Sequence, residues 1–315
     1  MRLGRTDLRV SRVGLGTWQF SDAWGTPSRE MAVEVVSRAL DLGINFFDTA
    51  MVYGMGTSER LLGEALREAG ADRDDLVIST KVPGEFLNRL DVPVSVEKSL
   101  RNLGLEYVDV LLAHWPPCWH NFPLKEYARA MEQLVNMGKV RYLGLSDHPL
   151  ELVESFRSYL SRADVEVLQV RYNLVERWAE IELIPYAEKH GMTVQAWSPI
   201  AKGALTGKYP PGSYLFDDVR SSDPVFHPEN YGRIWEVVEL LREVGEKYGK
   251  KPVQVALNWL LMSSPAVVPI PGAKTSKQVE DLVGAVDWRM SYSDWLTIHR
   301  KTSEIHLTYS ARYVI

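Results

Sequence analysis

One stretch of the chain begins Asn45-Phe46-Phe47-Asp48-Thr49, continues through Ser58 to Glu68, and reaches Leu76-Val77-Ile78-Ser79-Thr80. Its first and last pieces are short runs of aromatic and β-branched residues, the pattern of buried strands. The middle piece sets Leu61, Leu62, Ala65 and Leu66 at helical spacing. Strand, helix and strand in that order imply a parallel pair joined by a right-handed crossover. The same rhythm extends in both directions. Upstream, Val13 to Thr17 reads as a strand and Arg29 to Leu42 as the helix after it. Downstream, strands are expected at Tyr107 to His114, Val140 to Ser146, Val165 to Val170, Met192 to Trp197 and Val267 to Pro269. Helices are expected at Val94 to Leu103, Leu124 to Met137, Pro149 to Leu160, Ile181 to His190, Ile234 to Tyr248 and Ser276 to Ala285.

Eight strands in this alternation favour an α/β fold of the (β/α)8 TIM-barrel type. An open doubly wound sheet stays open as an alternative, because a strand count does not prove closure. Met1 to Arg12, turning at Gly4-Arg5-Thr6-Asp7, reads as an N-terminal β-hairpin. Residues 201–230 form a long stretch rich in Gly, Pro and Tyr after strand seven. A connection that long is usually functional, and Tyr209, Tyr214, Phe216 and Phe226 favour a lid over cofactor or substrate. Residues 1–315 are thus expected to form a single barrel domain, with 1–12 as a hairpin cap.

Composition narrows the function. The 36 Lys and Arg against 41 Asp and Glu give a net charge of -5, which offers no basic field for nucleic acid. No apolar run reaches the ~18 residues that span a bilayer, and the N-terminus lacks a signal-peptide core. Cys118 is the single cysteine, so no disulfide can form within the chain. These features point to a cytoplasmic enzyme with neither nucleic acid nor membrane as partner.

In a parallel barrel, chemistry sits where strands end. Asp48 with Tyr53 just beyond it, Lys81, and His114 fall at three consecutive strand ends. A free tyrosine has a pKa near ~10, and a nearby ammonium stabilises its phenolate. Lys81 beside Tyr53 therefore makes a proton-donating pair, with Asp48 holding the lysine and His114 offering a hydrogen bond to a substrate oxygen. The plainer alternative is a structural Asp48–Lys81 ion pair with Tyr53 and His114 filling the rim. Four convergent positions favour the functional reading.

The text around these residues resembles the aldo-keto reductase family. It runs Phe47-Asp48-Thr49-Ala50-Met51-Val52-Tyr53-Gly54, Ser79-Thr80-Lys81, His114-Trp115-Pro116, Gly144-Leu145-Ser146-Asp147, Trp197-Ser198-Pro199 and Pro269-Ile270-Pro271-Gly272-Ala273-Lys274-Thr275. The Ala201 to Lys208 segment is similar to the bacterial and potassium-channel-β-subunit-like branch. The resemblance implies hydride transfer from NADPH to an aldehyde or ketone, a small-molecule carbonyl, with Tyr53 as general acid, Lys81 depressing its pKa, Asp48 supporting Lys81, and His114 orienting the carbonyl. It implies a nicotinamide against Ser146, Asp147, Gln169 and Trp197, with Gly16, Thr17, Trp18 and Asp48 near it. Ser198, Pro199, Gly203, Leu205 and Lys208 would meet the pyrophosphate or its covering loop. Gly272, Lys274, Thr275, Gln278 and Asp281 would hold the adenosine end.

Three positions depart from the family. Asp147 stands where Asn is usual, Lys274 where Arg is usual, and Asp281-Leu282 where Glu-Asn is frequent. Lysine keeps a charge for a 2′-phosphate but loses the bidentate fork, so the expectation is a weakened NADPH preference with NADH partly accepted. Trp18, Met51, Trp115 and Trp119 are the expected substrate walls, with Trp24 a further candidate, and such walls suit aromatic or medium-chain carbonyls. No metal site is expected, because the two prolines at 116 and 117 prevent a helix from gathering His114, Cys118 and His120 on one face. A cofactor-holding module without turnover remains the alternative to an enzyme. The family includes monomers and larger assemblies, so a homo-oligomer stays open.

Overall fold

The computed structural model describes residues 1–117, 120–213 and 215–309. Its sheet has eight parallel strands in sequence order: β1 (Leu15–Gly16), β2 (Phe46–Asp48), β3 (Val77–Val82), β4 (Val108–Ala113), β5 (Val140–Ser146), β6 (Val165–Arg171), β7 (Thr193–Trp197) and β8 (Val267–Pro269). Helices alternate with them: α1 (Arg29–Asp41), α2 (Thr57–Glu68), α3 (Asp91–Leu103), α4 (Leu124–Asn136), α5 (Leu150–Tyr159), α6 (Leu183–His190), then α7 (Pro228–Glu246) and α8 (Pro252–Ser263) together before β8, and α9 (Ser276–Val283) and α10 (Tyr292–Ser303) after it.

The two edges of the sheet meet. Gly14 N–H donates to the Pro269 carbonyl and Gly16 N–H to the Pro271 carbonyl, each at 3.0 Å, and Gly16 pairs in parallel with Gly272. An open doubly wound sheet has no such bonds. Glycine at 16 permits the approach, since a Cβ there would lie 2.8 Å from the Ile270 carbonyl oxygen.

Strand alternation sorts the core into two layers. Phe46, Val77, Val110, Leu112, Val167 and Val268 point inward into one cluster, while Phe47, Ile78, Leu111 and Leu168 point outward against the helices. Leu3, Leu8 and Val10 join the inward cluster, so residues 1–10 plug the end of the barrel where the strands begin. That segment doubles back with an antiparallel bridge between Arg2 and Arg9. It is tied down by Gly4 N–H on Thr193 Oγ1 (2.7 Å) and Arg5 on Glu166 (3.0 Å). The opposite end, where strands finish, is left for chemistry.

Two expectations are corrected. The region between β7 and β8 holds two helices, with α7 starting at Pro228 instead of Ile234. The unforeseen α8 buries Val253, Val255, Ala256, Leu257, Trp259 and Leu260, apolar around most of its circumference. It therefore shows no amphipathic stripe to read. Nor is 201–230 one continuous loop, because 3-10 turns form at Ala201–Thr206 and Pro224–Phe226 and the last residues belong to α7. Its aromatic residues mostly anchor it, with Phe226 packed on Phe216 (4.8 Å) and stacked on Tyr231 (5.5 Å). Tyr214 lies outside the described residues.

Candidate active site

The centre of the site is a buried lysine. Lys81, on β3, is fully buried, and its Nζ donates to Asp48 Oδ2 at 2.6 Å, to the Thr49 carbonyl at 2.8 Å and to Tyr53 Oη at 3.4 Å. Asp48, the last residue of β2, uses Oδ1 to accept from Ser79 Oγ (2.7 Å) and Gln169 Nε2 (2.9 Å). A carboxylate so saturated cannot rotate away from the lysine. Tyr53 reaches the pair from the turn after β2, where Gly54 takes φ +61 to reverse the chain into α2. His114 follows β4, with its ring edge-on to Tyr53 at 5.7 Å between centroids.

Burial works against the Lys81 ammonium, but Asp48 and Tyr53 outweigh it and hold the group above the usual lysine value. Burial also pushes the Tyr53 phenol up; Lys81 opposes this, while Asp48 and Asp147 add to it. The net direction is upward, where a depression was expected, because desolvation of the phenolate exceeds the help from one ammonium already shared with Asp48. Tyr53 therefore keeps its proton at neutral pH. Burial, with Lys81 second, pulls His114 well below the usual histidine value. A neutral imidazole carries one N–H for a substrate oxygen.

Asp48 and Tyr53 open into a cavity of about 510 Å³, while Lys81 and His114 stand behind its lining residues. Of the residues assigned from sequence, Gly16, Thr17, Trp18, Asp48 and Tyr53 line its inner end, with Trp197, Ser198, Pro199, Gly203 and Lys208 along one side. Gly272, Lys274, Gln278 and Asp281 line the far end, and Trp24 joins them. Other assigned residues stand back from the wall. Ser146, Gln169 and Met51 are buried, and the Gln169 amide is taken by Asp48 and by Gln195. Leu205 is buried in the outer core, with its N–H on the Ile200 carbonyl at 3.3 Å. Thr275 caps α9, and Trp115 packs on His114 at 4.2 Å. Asp147 lies behind Trp197, accepting its indole N–H at 3.0 Å. Trp119 and Cys118 lie outside the described residues.

Tyr209, expected in the lid, lines the cavity too, but sequence reasoning missed several lining residues, chiefly Gln19, Ile200, Lys202, Arg220 and Lys251. Lys202 and Arg220 sit inside the expected lid, and their charges were the readable signal. Lys251 caps a helix that was not foreseen. Five cations thus face one cavity: Lys202, Lys208, Arg220, Lys251 and Lys274. They alternate with the aromatic faces of Trp18, Trp24, Trp197 and Tyr209. The Trp24 Nε1 hydrogen is buried with no partner among the described residues. Gly272 leaves room at the wall, since a Cβ there would strike the Gln19 amide. Cations for phosphates, aromatic faces for rings and an unpaired donor are a donor set that fits a dinucleotide.

The sequence model of the Aldo/keto reductase family matches residues 12–302, and the chain belongs to that family. It is 33% identical over 301 residues to the aldo-keto reductase YhdN of Bacillus subtilis, covering 92% of this chain and 89% of that one. It is 34% identical over 308 residues to a putative voltage-gated potassium channel subunit beta of Schizosaccharomyces pombe, covering 91% and 87%. The structure is similar, with a TM-score of 0.73 and 28% identity over 92% of this chain and 91% of that one, to an aldo/keto reductase from Klebsiella pneumoniae in complex with NADP and acetate. No helix among the described residues is long and apolar enough to cross a membrane.

Proposed function

We propose that this chain reduces aldehydes or ketones to alcohols with NADPH, Tyr53 supplying the proton. The observation that carries the reading is the buried Asp48–Lys81–Tyr53 chain at one end of a cation-lined cavity. When bound, the cofactor supplies a hydride to the carbonyl carbon. The rest belongs to the protein. Tyr53 Oη gives its proton to the carbonyl oxygen as negative charge develops there, and the electron pair of the broken O–H bond stays on the phenolate. Lys81 Nζ, 3.4 Å away, stabilises that phenolate until solvent returns a proton. Asp48 keeps the ammonium aimed at Tyr53, and the neutral His114 N–H holds the same carbonyl oxygen.

Lys202 and Lys208 suit the pyrophosphate. Lys274 and Arg220 both lie against Trp24, at 5.8 and 5.5 Å from its ring, and suit a 2′-phosphate. The lysine at 274 supports a moderate NADPH preference with NADH partly accepted. The aromatic walls support an aromatic or medium-chain carbonyl, which buries apolar area there. We also read the chain as one barrel domain, at work in the cytoplasm.

The test is NADPH oxidation with a panel of aldehydes, beside cofactor binding, in the native protein and Tyr53→Phe. The reading expects turnover in the native protein and a fall of roughly 10²- to 10⁴-fold in the variant, the usual share of a general acid, with NADPH still bound. Binding without turnover in either protein would favour a cofactor-holding module, for which the likeness to a channel β subunit speaks.

A further inference from the structure

Asp147 directly follows β5 with its backbone in the left-handed region, φ +52, which a residue with a side chain rarely adopts. Its N–H donates to the Gln169 carbonyl at 2.9 Å, and this pins the side chain between β6 and β7. The carboxylate takes the Trp197 indole N–H at 3.0 Å. Trp197 lines the same cavity as Tyr53 and Asp48. A carboxylate thus stands one indole away from the reacting end.

The surrounding charges compensate it only in part. From β6, the Arg171 guanidinium lies 5.2 Å from the same ring, but it is held by Glu176 at 2.7 Å and Asp223 at 3.0 Å. From β5, Ser146 Oγ contributes only a weak contact at 3.4 Å. His148, next in the chain, is held by burial at about 4 and stays neutral. On the cavity side stand Tyr53, Lys81 and Asp48, and the last two cancel. Burial lifts the Asp147 carboxyl to about 6, against hydrogen bonds from Trp197, the Arg171 backbone and Ser146 and the more distant charge of Arg171.

We infer that Asp147 is a positioning residue that makes the nicotinamide end select the oxidised cofactor over the reduced one whenever its carboxylate is ionised. This rests on the function proposed above. The nicotinamide ring carries a positive charge only when oxidised, so a fixed negative charge behind Trp197 acts on one form alone. Linkage sets the sign: the ring cation favours the ionised carboxylate, so NADP⁺ affinity rises with pH through the neighbourhood of 6 while NADPH affinity does not follow it. The phosphates belong to both forms, so their own titration cancels in the ratio. At an effective dielectric near 20, a unit charge about 10 Å away is worth on the order of tenfold in that ratio. Asparagine at 147 would keep an acceptor for the indole and lose the charge.

The experiment measures dissociation constants of NADP⁺ and NADPH on the full chain from pH 5 to pH 8, in the native protein and in Asp147→Asn. The expected result is a native preference for NADP⁺ that grows about tenfold across the range and a flat ratio in the variant. A second reading needs no cofactor: tryptophan fluorescence of the native protein should show a step near pH 6 that Asp147→Asn lacks. A flat ratio in the native protein overturns the inference without any variant, and an equal slope in Asp147→Asn does so too. Binding of neither form would instead overturn the functional reading, and this inference with it.

Discussion

At the scale of single residues, the site depends on a charge that has no access to water. Lys81 is fully buried and Asp48 nearly so, and each is the other's main compensation. Removing one leaves the other as an unpaired buried ion, which costs about 3–5 kcal/mol. Lys81→Met should therefore lower the stability of the fold by that amount in urea titrations, besides abolishing turnover. A loss under ~1 kcal/mol would mean that the pair is more hydrated than its burial indicates. These residues were legible in the sequence because their strands end in polar residues that a buried strand has no structural use for. Asp147 was legible as a departure from the family, but not its partner. Nothing in the chain's linear order brings residue 147 to the indole of residue 197; only the adjacency of β5, β6 and β7 does so.

At the scale of elements, residues 201–226 hold the cavity's long side through buried charge. Asp223, almost completely buried, accepts from Arg171 at 3.0 Å and Lys202 at 2.6 Å, and its Oδ1 also caps the turn at Val225 N–H. Val219 N–H donates to the Ala23 carbonyl at 3.2 Å, joining this segment to the loop after β1. Asp223→Asn keeps the cap but halves the charge compensation of two cations. It should speed NADPH release by roughly tenfold, about 1.4 kcal/mol, and expose the segment near residues 209–222 to protease. Stopped-flow displacement and limited proteolysis measure the two, and an unchanged release rate would locate the grip elsewhere. The segment's length and aromatic content marked it in the sequence, and Gly203, Lys208, Tyr209 and Arg220 of it line the cavity. Its internal turns were not legible, since short 3-10 pieces have no periodic signature. The helix α8 escaped for the related reason that burial on nearly every side erases the stripe by which a helix is recognised.

At the scale of the whole molecule, the repeating strand–helix rhythm made the parallel order readable, because each unit buries its own strand against its own helix. Closure was not readable from that rhythm. It depends on Gly14 and Gly16 reaching the carbonyls of Pro269 and Pro271, a contact between the two ends of the sheet. The same closure separates the duties of the two ends of the barrel. Residues 1–10 seal one end with apolar side chains and the Arg5–Glu166 pair, so the other can hold Asp48, Lys81 and Tyr53 without weakening the core. In the function proposed above, this open end passes a hydride from a nicotinamide to a carbonyl carbon. The most direct test of that transfer is incubation of the protein with an aldehyde and NADPH carrying deuterium at both C4 positions, followed by mass analysis of the product. The expected product is an alcohol one mass unit heavier, with deuterium on the carbinol carbon. An alcohol without deuterium, or no alcohol while the cofactor remains bound, would contradict it.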